Sequence, residues 1–231
     1  MPACTGSEQV SENPDHGLIK PESTDKEEHL EELYWSRIDS SKMDFTQADV
    51  DFMVGMIAHH AQALIMSDLA PKNNAGPAIQ RLASRIINAQ KDEIQSMQKW
   101  LRDRNQPVPD VQIDGLILTI EMESAGSTVS SHHQMDHSHA GHSGMDHSGM
   151  PGMLTQEELN DLAEQKGEAF DRAFLKYMIA HHEGAVIMVD NLLAQDGAAQ
   201  DRQVFRLASD IQADQTTEIE RMKQMLQEIH S

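Results

Sequence analysis

The sequence predicts an all-α protein, a four-helix bundle made of two pseudo-symmetric helical hairpins, and three observations carry that expectation. Apolar residues recur at helical spacing in four long runs. Residues Phe52 to Met66 match Phe174 to Met188 at nine of fifteen positions, and a second pair of runs, "RLASRIINAQKDEIQSMQKWL" and "RLASDIQADQTTEIERMKQML", repeats in the same order. The offset is 122 residues in the first run and 125 in the second, so only the turn between them has changed length. Either hairpin alone would bury too little apolar surface, which makes one joint bundle over residues 44–230 the expected unit.

Taken in order, residues 1–24 are polar with scattered Pro and Gly and read as a disordered tail. "DKEEHLEELYWSRI" places Leu30, Leu33, Tyr34 and Ile38 at helical spacing behind a run of acids, which predicts a short helix within 25–43. "TQAD" at Thr46 to Asp49 is a capping signal that opens a helix to about Ala70. "PKNNAGP" supplies turn residues, and Pro77 suits the first position of a helix to about Arg104, which completes the first hairpin, 44–104. The connector, 105–153, loses helical periodicity, and its apolar "GLILTIEM" has no counterpart in the repeat. The second hairpin, 154–230, begins with the capping signal "TQEE" at Thr155. It carries a long helix from about Glu168 to Leu193, a turn at "QDGAAQD" and a last helix to the C-terminus.

Composition narrows the function. Thirty-eight acidic against eighteen basic residues give a formal net charge of −20, which repels phosphate backbones and favours cations, so nucleic acid is excluded as a partner. No run approaches the ~18 to 20 apolar residues of a transmembrane segment. Fifteen methionines and thirteen histidines accompany only 4% aromatic residues, and thioether and imidazole are the ligands that late transition metals prefer. The single cysteine, Cys4, follows an alanine and precedes a polar tract. It reads equally as the lipid-bearing residue of a trimmed lipoprotein signal and as an ordinary surface cysteine.

The chemistry concentrates in "MIAHHAQALIM" and "MIAHHEGAVIM". At about 100° per residue, Met56, His59, His60 and Met66 share one arc of their helix, with Met53 at its edge. Met178, His181, His182 and Met188 repeat the arrangement. On the partner helices Gln90, Glu93 and Met97 share a face, as do Gln215, Glu218 and Met222, so Glu93 and Glu218 join the predicted metal-site residues and each hairpin offers two imidazoles, several thioethers, one carboxylate and one amide. A lone methionine at such spacing is ordinary core. Two adjacent histidines are different, because burying both rings is costly unless each finds a partner. Thioethers are poor ligands for magnesium, calcium and iron(II) and good ones for copper(I) and silver(I), while imidazole accepts copper in either oxidation state. Zinc would gain nothing from the methionines. Di-iron bundles use Glu-x-x-His, whereas here "EIQSM" and "EIERM" place Met97 and Met222 four residues after the acid. The connector adds "HHQMDHSHAGHSGMDHSGMPGM", in which His132, His133, Met135, His137, His139, His142, Met145, His147, Met150 and Met153 are tethered soft ligands that bind metal by multivalency.

These motifs resemble the Domain of Unknown Function 305 family, and the resemblance covers about residues 44 to 230. It rests on "DFMVGMIAHHAQALIM", "AQKDEIQSMQKWL", "MPGMLTQEEL", "FDRAFLKYMIAHHEGAVIM" and "DQTTEIERMKQML". The resemblance implies a ferritin-like helical protein of the bacterial periplasm or envelope that binds copper. It implies Met56, His59, His60, Met66 and Met97, with Met178, His181, His182, Met188 and Met222, as copper-site residues. Leu175 stands where the first repeat has Met53, so the two His-pair sites are not expected to be equivalent.

The expected function is therefore sequestration, buffering or transfer of copper, Cu(I) in preference to Cu(II), with silver as a surrogate and a copper-exporting or copper-accepting envelope protein as partner. No signature of a catalytic site is seen, and a non-enzyme is expected. Two other classes fit the same residues: a copper-dependent oxidoreductase, and a helical scaffold whose His-rich tract alone binds zinc or nickel.

Overall fold

A computed structural model describes residues 29–30, 33–34, 44–123 and 149–229. Within residues 1–39, His29, Leu30, Leu33 and Tyr34 are helical, where the short N-terminal helix is predicted. The predicted tail, Cys4 and the connector ligands from His132 to His147 lie outside the described residues.

Helix α1 spans Gln47–Lys72 and opens at Thr46 with a full capping box. The Thr46 hydroxyl accepts from the Asp49 amide at 3.4 Å, and Asp49 Oδ2 accepts from the Thr46 amide at 2.7 Å. Asp49 is nevertheless buried, because its Oδ1 accepts the Ala199 amide at 2.7 Å from the turn of the other hairpin. Its counterpart 122 residues on, Asp171, accepts the Gly76 amide at 3.0 Å from the turn of the first hairpin. Each hairpin thus clasps the other's turn by the same hydrogen bond, and the repeat becomes a twofold relation in space.

Helix α2, Pro77–Asp103, starts on the predicted proline and buries Ile79, Leu82, Ile86, Ile94, Met97 and Leu101 along one stripe. Beyond it the chain forms an antiparallel hairpin of β1, Val108–Asp114, and β2, Ile117–Glu123, paired from Val108↔Glu123 to Asp114↔Ile117. Gly115, at φ 61°, opens its two-residue turn, as such hairpins require. Leu116 and Leu118 pack against the core, which gives the apolar "GLILTIEM" its place.

A tight loop at 149–154 leads to α3, Gln156–Glu164, capped by Thr155 and Glu158, and then to α4, Gly167–Leu193, and α5, Arg202–Ile229. Asn73 ties the end of α1 to that of α3, donating to the Ala163 and Gln165 carbonyls at 3.0 and 2.9 Å. Asp201 caps α5 and pairs with buried Arg104, whose guanidinium lies 4.3 Å over Trp100. The four long helices are those the repeat predicts. Helices α1 and α4 pack at the centre, each against its own partner, while the outer helices α2 and α5 reach each other through long side chains such as Arg85 and Glu218, 4.0 Å apart.

Candidate metal centre

The central helices carry the His pairs, and because α1 and α4 pack together the two pairs meet rather than form separate sites. The His59 and His181 rings have centroids 3.9 Å apart, and each stands next to its neighbour, His60 at 6.5 Å and His182 at 6.3 Å. All four imidazoles are fully buried.

Three of them are oriented by an acceptor. His60 Nε2 lies 2.5 Å from Glu93 Oε2, and His182 Nε2 lies 2.8 Å from Glu218 Oε2, equivalent bonds in the two halves. His59 Nε2 lies 3.0 Å from the Pro151 carbonyl. Carboxylates and carbonyls only accept, so each ring carries its hydrogen on Nε2 and keeps a lone pair on a buried Nδ1. None of those Nδ1 atoms, and neither nitrogen of His181, has a hydrogen-bond partner. The buried amides of Gln90 and Gln215, one turn before the two glutamates, also keep unpartnered atoms. So many unsatisfied polar atoms in one interior need an explanation, and a bound ion is one that suits lone-pair donors.

Burial sets the charge state. It is the largest cause that holds the His59 pKa down to about 3, followed by the adjacent His60, against the opposing Pro151 carbonyl. His181 is lowered well below 6.5 by burial, then by His59, His182 and His60, with a small opposing effect of the His59 backbone. His182 is lowered by burial, with Glu218 acting in the other direction. Neutral imidazoles are the form that binds metal.

The thioethers flank this layer in two sets. Met53, Met56 and Met97 are fully buried in one apolar cluster, against which half-buried Met188 packs. Met66, Met178 and Met222 are fully buried in the other. The repeat offsets carry Met56, Met97 and Met188 of one set onto Met178, Met222 and Met66 of the other. Each set thus draws methionines from both hairpins, and Leu175 replaces Met53 in the second. Among the described residues no three His, Cys, Asp or Glu side chains close round one point. Those four residue types alone therefore make no cage there, and the thioethers and the amides of Gln90 and Gln215 are further donors in the same interior. Glu93 and Glu218, both predicted as metal-site residues, each accept from an imidazole Nε2–H, the position carboxylates take behind metal-ligating histidines.

The loop at 149–154 was only partly legible. Met150 and Met153 are half-buried there. The residues that fasten the loop are others: Gln62, which holds Leu154 through its carbonyl at 2.8 Å and its amide at 2.7 Å, and Gly184, over which the backbone of Pro151 and Gly152 passes. Gly184 stands where the first repeat has Gln62, and that departure from the repeat was the available signal. A cavity of about 310 Å³ lined by Trp100, Gln203, Arg206 and Leu207 includes none of the predicted ligands.

A family model described as domain of unknown function (DUF305) matches residues 49–226. Among solved structures, the chain is similar to a DUF305 fragment from Deinococcus radiodurans, with 27% identity, 80% of this chain and 98% of that one covered, and a TM-score of 0.58. A DUF305 protein from Streptomyces coelicolor, described as secreted, is 25% identical over 80% of this chain and 93% of that one, with a TM-score of 0.58. CopM in its Cu(I)-bound form is 26% identical over 79% of this chain and 98% of that one, with a TM-score of 0.52, and CopM is also known in Cu(II)-bound and Ag-bound forms. No curated protein is matched by sequence.

Proposed function

The chain belongs to the DUF305 family, and on that premise we propose that it is a copper-binding protein of the bacterial cell envelope that sequesters, buffers or transfers copper ions. One observation carries the reading. Three buried imidazoles are pinned as Nε2–H tautomers by Pro151, Glu93 and Glu218, with their Nδ1 lone pairs unpartnered between two sets of thioethers. Such a donor set favours a soft ion, Cu(I) or Ag(I), and the imidazoles tolerate Cu(II). The copper-bound and silver-bound forms of CopM support the choice of ion.

In this reading the His and Met residues of the connector gather ions, and the buried residues hold them. An envelope location is supported by the relative described as secreted, and in this reading Cys4 is the residue that would carry a lipid anchor. The partner is an envelope protein that exports or accepts copper. The role is binding without turnover, so the copper-loaded protein is expected to be silent in an oxidase assay. The direct test is anaerobic Cu(I) titration of wild type and of His59→Ala/His60→Ala. Loss of at least one tightly held ion is expected, and an unchanged binding isotherm would defeat the assignment.

A further inference from the structure

One departure from the twofold relation lies at the 149–154 loop, and it opens only one of the two methionine sets. The second repeat has Tyr177 where the first has Gly55, and Gly184 where the first has Gln62. Both glycines sit under the 149–154 loop. A Cβ on Gly184 would stand 2.0 Å from the Pro151 carbonyl oxygen and 2.7 Å from Gly152 Cα, so no side chain fits beneath the loop. A Cβ on Gly55 would stand 3.5 Å from Met150 Sδ and 3.4 Å from Met188 Cε. The Met150 sulfur and the Met188 methyl therefore both lie over a position left bare of side chain.

At the equivalent place in the other half, Tyr177 supplies a ring, its hydroxyl 3.3 Å from Asp161 of α3, and Leu159 and Leu162 of that helix pack into the cluster. Met66 is sealed there, fully buried, whereas its repeat counterpart Met188 is half-exposed. Met150 is half-exposed as well and lies at the last residues of the His- and Met-rich connector, two positions after Ser148. Beneath the pair, Met56 follows Gly55 directly and leads along the same helix to His59.

We propose that Met150 and Met188, converging over Gly55, form a peripheral site for a soft monovalent cation, the port through which an ion passes from the connector to the buried histidines. The proposal rests on the copper-binding reading of the interior. Two thioethers favour Cu(I) and Ag(I) over zinc or Cu(II), and their partial exposure suits a site that must load and empty. The sealed set of Met66, Met178 and Met222 has no such access, so uptake runs through one side of a molecule whose interior is nearly symmetric.

The test uses the full chain with methyl-labelled methionine and Ag(I) as a redox-inert probe, followed by NMR of the methionine methyl groups and the imidazole rings. The Met150 and Met188 methyls are expected to shift with the first additions of Ag(I). Met150→Leu, and separately Gly55→Tyr, which installs the residue of the other repeat and leaves every methionine in place, are each expected to slow loading of the buried histidines from a chromophoric Cu(I) chelator at least tenfold. Imidazoles that respond while both methyls stay still, or a wild-type loading rate in both variants, would overturn the port and leave the central site standing. Imidazoles that do not respond at all would overturn the copper-binding reading itself.

Discussion

An imidazole whose Nε2 hydrogen is held by an acceptor has one lone pair left, and in this interior three such lone pairs have nothing to bond. The glutamates are then part of the binding chemistry although the ion need not touch them: they fix the tautomer and raise the basicity of the ring. Glu93→Gln and Glu218→Gln are expected to weaken Cu(I) binding ~10- to 100-fold each, the usual effect of losing such a partner, as read by competition with a chelator of known affinity. The same burial makes the metal-free protein acid-sensitive. His59 is held at about 3 when folded and returns to 6.5 when unfolded, so its contribution is complete above pH 6.5 and is lost progressively as pH falls towards 3. At pH 5 the unfolded state gains roughly 2 kcal/mol from this one group, and the lowered His181 and His182 act in the same direction. Urea denaturation of the metal-free protein at pH 7 and pH 5 is expected to show at least that loss, and His59→Gln should reduce it. The doubled histidines were legible from sequence because two adjacent imidazoles in a helix buried on all sides are hard to explain as packing. The Pro151 carbonyl was not, since a backbone oxygen leaves no mark in the residue pattern.

Among the elements, the helices announced themselves and the connections did not. Capping boxes at Thr46 and Thr155, the proline opening α2 and the apolar stripes are local signals, and each element begins where its signal stands. The β hairpin had a signal too, alternation in "VQID" and "LTIEM" about Asp114-Gly115, but a pair of short strands gains its stability from packing on the bundle, which periodicity does not report. The 149–154 loop depends still more on tertiary contact. Its position requires Gly184 to lack a Cβ, so Gly184→Ala is expected to lift the loop, at a cost of about 1–3 kcal/mol from overpacking. Faster hydrogen exchange at Met153 and Leu154 in that variant, with the centres of α1 and α4 still protected, is the expected pattern. Unchanged protection of the loop would show that it is held by other contacts.

At the scale of the whole molecule, two copies of one hairpin clasp each other's turns through Asp49 and Asp171 and bring their chemical faces together at the centre. The duplication was readable in the offsets of 122 and 125 residues. That it would merge two His pairs into one layer, with methionines of both halves mixed on either side, was not readable, because the meeting of His59 and His181 follows from how α1 packs on α4. The central claim is that soft donors from both hairpins converge on an ion inside the bundle. Anomalous diffraction at the copper edge from crystals of the loaded full chain measures this most directly. A peak within bonding distance of an unpartnered ring nitrogen of the His59, His60, His181 and His182 layer and of at least one thioether is the predicted result. Copper confined to the connector or the surface, with the interior empty at saturation, would contradict it.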